Sequence, residues 1–166
     1  MAARILQAAD AAAALILASW SDKGKHDCVE RIYAPPVSLT EDSQPVLRGR
    51  KVFVFPGPYA ASLLDRADQW RTYTLRTLTV ERYTDDSGPP PREWIDARTE
   101  FVEQNVFNVL ANQSVELIDQ MTPAMDERPT IDVLYDIDTL LKFKTFWSQA
   151  TFYFAEDTDL AGEVLL

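Results

Sequence analysis

The chain has 166 residues, 46% of them hydrophobic, and a formal net charge of −10. That length and apolar content suit one domain with a real core and exclude a disordered tail. The acidic balance, with a pI near 4.5, disfavours an extended grip on nucleic acid, which needs clustered Lys and Arg to displace counterions; DNA passing nearby is not excluded.

One cysteine, Cys28, leaves no internal disulfide to form, so a reducing setting is expected. With the only histidine it makes "HDC" at His26 to Cys28, too few ligands for a structural zinc site. The chain reads as a single domain over 1–166, with an N-terminal helix over 3–20, a body of sheet and helix over 29–155 and a C-terminal tail over 156–166.

Ile5, Leu6, Ala9, Ala13, Ile16, Leu17 and Trp20 recur at three- and four-residue spacing, which predicts a helix over 3–20. Arg4 and "AAAALILAS" imitate an export signal, but Asp10 interrupts the apolar run and no clean small-residue cleavage site follows. The run is also too short to span a bilayer. "SDKGK" stops the helix, with Gly24 at the turn.

"CVERIYAP" is a short alternating strand ended by Pro35 and Pro36, and "SLTEDSQPVLRG" is polar loop. "KVFVFPG" is a second strand, closed by Pro56, Gly57 and Pro58. Residues 59 to 70 fit either a helical turn or an ordered loop. "RTYTLRTLTVERY" is the best strand of the chain, rich in Thr, Tyr, Leu and Val. Its apolar phase shifts at Thr77, which means either a bulge or cover on both faces, and Glu81 and Arg82 lead it out to solvent.

"TDDSG" has turn chemistry, and Pro89 to Pro91 hold an extended approach to a helix whose first turn carries Glu93 and Asp96. Trp94, Ile95, Phe101, Val102, Val106, Val109 and Leu110 form its apolar stripe, ending near residue 110. Another helical turn or two fits before Pro123. "TIDVLYDID" is a strand and "DTLLKFK" a short helix or turn. "TFWSQATFYFAED" is a final strand with Phe146, Phe152 and Phe154 on one face and Trp147 and Tyr153 on the other. A strand apolar on both sides is central in its sheet or covered by a neighbouring chain. The tail ends in bare apolar residues that could dock on a partner. Clustered strands with few interleaved helices predict an α+β fold: a mixed, mainly antiparallel sheet flanked by a long helix and the N-terminal helix.

Chemistry is sparse. There is no G-x-S-x-G elbow, no phosphate-cradling glycine loop, and one His beside one Cys lacks an orienting partner. Asp132, Asp136 and Asp138 offer a divalent metal site for a metal-dependent enzyme, against a solvated strand edge followed by an Asp helix cap at Asp136 or Asp138. An acidic adaptor for a basic partner is a further option.

The succession "YTLRTLTVERYTDDSGPPPREWIDARTEFVEQNVFNVLAN", "IDVLYDIDTLL" and "FWSQATFYFAED" resembles the tail terminator proteins of long-tailed bacteriophages. The likeness covers roughly residues 50 to 155. It is most specific at "ERYTDDSGPPPREWID" and at the closing aromatic strand that ends in "ED".

The resemblance implies a small structural subunit of the virion neck, forming a homo-oligomeric, hexameric ring that caps the tail tube and joins it to the head-side connector or stopper protein. DNA would pass through without specific binding. No enzyme activity, metal or cofactor is implied, and no membrane. A head–tail stopper or a tube protein is the alternative within the same setting. The assembly region is expected at Pro56, Tyr59, Trp70, Gly88, Pro91, Phe152, Phe154 and Leu165.

Overall fold

The computed structural model describes residues 3–33, 48–63, 68–85, 88–112, 121–124 and 127–159, with backbone alone at 58–63, 68–71, 122–123 and 157–159. Six strands are present among them: β1 (Cys28–Arg31), β2 (Lys51–Leu63), β3 (Asp68–Arg82), β4 (Thr122–Pro123), β5 (Thr130–Val133) and β6 (Thr145–Asp159). The sheet order is β1-β2-β3-β6-β4, and β5 also pairs with β6. Only β1 and β2 run parallel; the other pairs are antiparallel. The fold is therefore α+β with a mixed, mainly antiparallel sheet, and β6 is a central strand as its two apolar faces require.

Helix α1 (Arg4–Ser19) buries Ala8, Ala9, Ala12 and Ile16. Three of these are alanines, so the helix backbone can lie close over the sheet. α2 (Arg92–Phe101) continues through a π-helical stretch (Val102–Phe107) into α3 (Asn108–Asn112). The stripe read from the sequence is the buried side: Phe101, Val102, Val106 and Leu110. The π-helical stretch has no counterpart in the sequence reading. It abuts α1, where Asn105 Nδ2 donates to the Ser19 carbonyl at 2.9 Å and Ser19 Oγ donates to the Asn105 carbonyl at 3.2 Å. Two polar groups at a helix end thus satisfy each other.

One sheet face meets the helices. Val52, Val54, Tyr73, Leu75, Ala150, Phe152 and Phe154 join α1 and the 92–112 helix in the main core. The other face holds a smaller cluster of Phe53, Phe55, Leu78 and Val80, with Ile32 and Trp147 against it. Register explains the split, because directly paired residues point the same way: Val54, Thr77 and Ala150 align, as do Phe53, Leu78 and Gln149.

Three expectations change here, on residues 59–70, on Pro56 to Pro58 and on Glu81. Where it is described, at 59–63 and 68–70, the segment 59–70 is neither a helical turn nor a plain loop. Its described parts extend β2 and β3, pairing from Tyr59↔Tyr73 to Leu63↔Gln69. Pro56, Gly57 and Pro58 do not close β2 but sit at a register shift between Pro56 and Tyr59, where a missing donor N–H is tolerated. A Cβ on Gly57 would lie 2.9 Å from Thr74 Cγ2, so the close approach needs glycine.

At Thr77 the second of the two alternatives, cover on both faces, holds, and there is no bulge. The β3–β6 ladder is unbroken from Asp68↔Asp159 to Arg82↔Thr145, and both faces are covered. Thr77 and Thr79, both 1% exposed, simply take inward positions on the helix-side face.

Glu81 does not lead out to solvent either. It accepts from Arg50 Nε at 2.9 Å and from Arg98 Nε and Nη2 at 3.0 and 2.7 Å. The Arg50 guanidinium lies over the Phe101 ring at 4.2 Å and that of Arg98 over the Trp94 ring at 4.2 Å. This clamp ties β2 and β3 to α2. A second joins α1 to β3 and β6, with Glu156 accepting from Arg4 Nε at 2.7 Å and from the Tyr73 hydroxyl at 3.0 Å.

Candidate functional site

Asp136 starts α4 (Ile137–Phe143) as its N-cap, accepting from the Thr139 amide at 3.1 Å and also from the Thr139 hydroxyl. The cap expected at Asp136 or Asp138 therefore falls on Asp136. Those hydrogen bonds favour the carboxylate and hold its pKa below the ordinary value. The preceding strand is shorter than "TIDVLYDID" suggested and ends at Val133. Lys144, in the left-handed conformation at φ 51°, ends α4 and turns the chain into β6.

Within α4, Leu140 alone is buried, packed with Val102 and Phe146. Ile137 and Leu141 stand one turn apart on an outer face and are 52% and 58% exposed. Leu134, Tyr135 and Phe143, close to them in sequence, are exposed as well. Five of the seven exposed large apolar side chains of the described residues thus fall within 134–143. Scattered apolar exposure is ordinary; a concentration of it marks a contact surface. Asp132, Asp138 and Lys142 lie exposed around the patch.

The three aspartates considered for a metal are engaged separately. Asp132 accepts from the Thr130 and Thr151 hydroxyls at 2.8 and 2.5 Å, Asp136 caps α4, and Asp138 is exposed in the first helical turn. No group of three His, Cys, Asp or Glu among the described residues is gathered to hold a metal ion. The depression lined by Leu110, Ala111, Pro129, Phe152, Tyr153 and Phe154 presents no carboxylate, His, Cys or Lys. No described helix is long and apolar enough to cross a membrane.

The residues expected at an assembly surface are scattered by the fold. Phe152 and Phe154 are 1% and 2% exposed, inside the chain's own core, and are corrected from surface to core residues. Their face of β6 is the one the helices cover. Pro56 is half-buried at the register shift. Tyr59 and Trp70 sit on the paired arm of β2 and β3, where the structure describes backbone alone, and Leu165 lies outside the described residues. Gly88 has φ 128° with open space where a side chain would be, and Pro91 is the exposed N-cap of α2.

The 134–143 corner was missed as a surface. Its signal was legible: "IDTLLKF" carries Ile137, Leu140, Leu141 and Phe143, more apolar bulk than one face of a two-turn helix can bury.

No protein-family model matches the chain, and no curated protein does.

Proposed function

We propose that the chain is a structural subunit of a bacteriophage neck, a tail terminator that forms a ring capping the tail tube and joining it to the head-side connector. The resemblance at 50–155 is what points to this particle. The observation that carries the reading on this molecule is the apolar corner at 134–143, which holds five of the seven exposed large apolar side chains among the described residues. Such a surface suits permanent contact with other proteins. The net charge of −10 suits a conduit wall, which repels phosphate and does not hold it.

The reading is tested by removing the chain from a long-tailed phage that encodes it. Heads and tail tubes then accumulate unjoined. Normal joined particles without the chain would reject it, and a copy number matching the many rings of the tube would reassign it to the tube.

A further inference from the structure

β1 and β5 lie at opposite edges of the sheet, with β2, β3 and β6 between them. The register sets their heights. Cys28 aligns with Lys51, Val80 and Trp147, so the turn before Cys28 lies toward the Thr145 end of β6. Val133 aligns with Gln149 and β5 runs antiparallel to β6, so 134–143 lies toward that same end. Two surfaces thus stand level on opposite flanks of the molecule.

They also differ in charge. One flank exposes Leu134, Tyr135, Ile137, Leu141 and Phe143 together with Asp132, Asp138 and Lys142, one acid in excess. The other exposes Leu17 near the end of α1 and, in the following turn, Asp22, Lys23 and Lys25, one base in excess. The C-terminal end of α1 is fixed at this height, since the Arg50 guanidinium, next to the start of β2, lies over the Trp20 ring at 5.5 Å. Different patches on opposite flanks make a head-to-tail contact, which closes into a ring when the rotation allows.

We infer that the 134–143 corner docks on the Leu17 and Lys23–Lys25 flank of a second copy of this chain, with Asp138 meeting the lysines. The inference rests on the ring reading and names the surfaces that would form it. Apolar anchors supply the affinity, and the charges set register and orientation.

The test is sedimentation of the purified full chain, combined with zero-length carbodiimide cross-linking of a mixture of isotopically light and heavy chains. Cross-links between chains joining Lys23 or Lys25 to Asp138 or Asp132 are expected. Ile137→Asp and Leu141→Asp should weaken self-association by roughly tenfold or more while leaving the melting temperature near that of the parent, since both side chains already face water. Lys23→Glu with Lys25→Glu should weaken it too, and adding Asp138→Lys should restore it.

Self-association untouched by these changes, with cross-links elsewhere, overturns the inference and leaves the neck reading standing. So does a chain that stays monomeric at every concentration, because a neck location is tested independently on particles. Loss of association in the apolar variants without any effect of the charge swaps overturns the assigned partner surface.

Discussion

At the scale of single residues, Asp136 and Trp94 are the most informative. The Asp136 carboxylate is held below its ordinary pKa, first by the Thr139 hydroxyl and then by the Thr139 amide. A folded-state pKa below the unfolded one adds stability that is fully present above the unfolded value of 3.8 and is lost as pH falls through the folded value. Acid titration of the melting temperature should therefore show a shallower decline below about pH 4 in Asp136→Asn than in the parent; identical profiles would remove the cap from the account. Trp94 packs edge-on against Tyr83 at 5.3 Å and Phe146 at 6.5 Å, with Arg98 over its face. Trp94→Ala should cost about 3 kcal/mol, read by urea denaturation, and should impair folding before it impairs any association. The helix-start role of this tryptophan was legible from the apolar stripe. The burial of Glu81 was not, because a carboxylate between two arginines distant in sequence leaves no local pattern.

Among the elements, the long helix, the final strand and the alternation of the central strands could be read because periodicity reports which face is covered. Two things could not. The extension of β2 and β3 past Pro56 depends on a register shift that only pairing reveals, and the π-helical stretch depends on packing against α1. The register shift makes Gly57 irreplaceable in a specific way. Gly57→Ala brings a methyl to within 3.0 Å of Thr74 Cβ as well as Cγ2, and should destabilise by about 1–3 kcal/mol in chemical denaturation. The Glu81 clamp binds strand to helix with side chains no more than 17% exposed. Glu81→Gln leaves two partly buried guanidinium groups short of a counter-charge, and a loss of about 2 kcal/mol is expected. A variant as stable as the parent would show that the arginines are held by their aromatic neighbours alone.

For the whole molecule, the order of strands in space decides what the surface can do. The α+β class and the two helices that flank the sheet were legible from the run of strands and helices. The level placement of 134–143 and the α1–β1 turn was not, because it follows from the non-sequential order β1-β2-β3-β6. Acidity and the exposed apolar residues of 134–143 are the features that the proposed neck role would use. If the corner mediates contact, apolar probe dyes should bind the isolated chain and be displaced as it assembles; unchanged dye binding through assembly would place the contact elsewhere. The central claim is location and copy number in the particle, and electron cryo-microscopy of intact long-tailed phage particles built with this chain measures both. Density for it in a single ring at the head-proximal end of the tail is the predicted result. Its repetition along the tube, or its absence from the particle, would contradict the account.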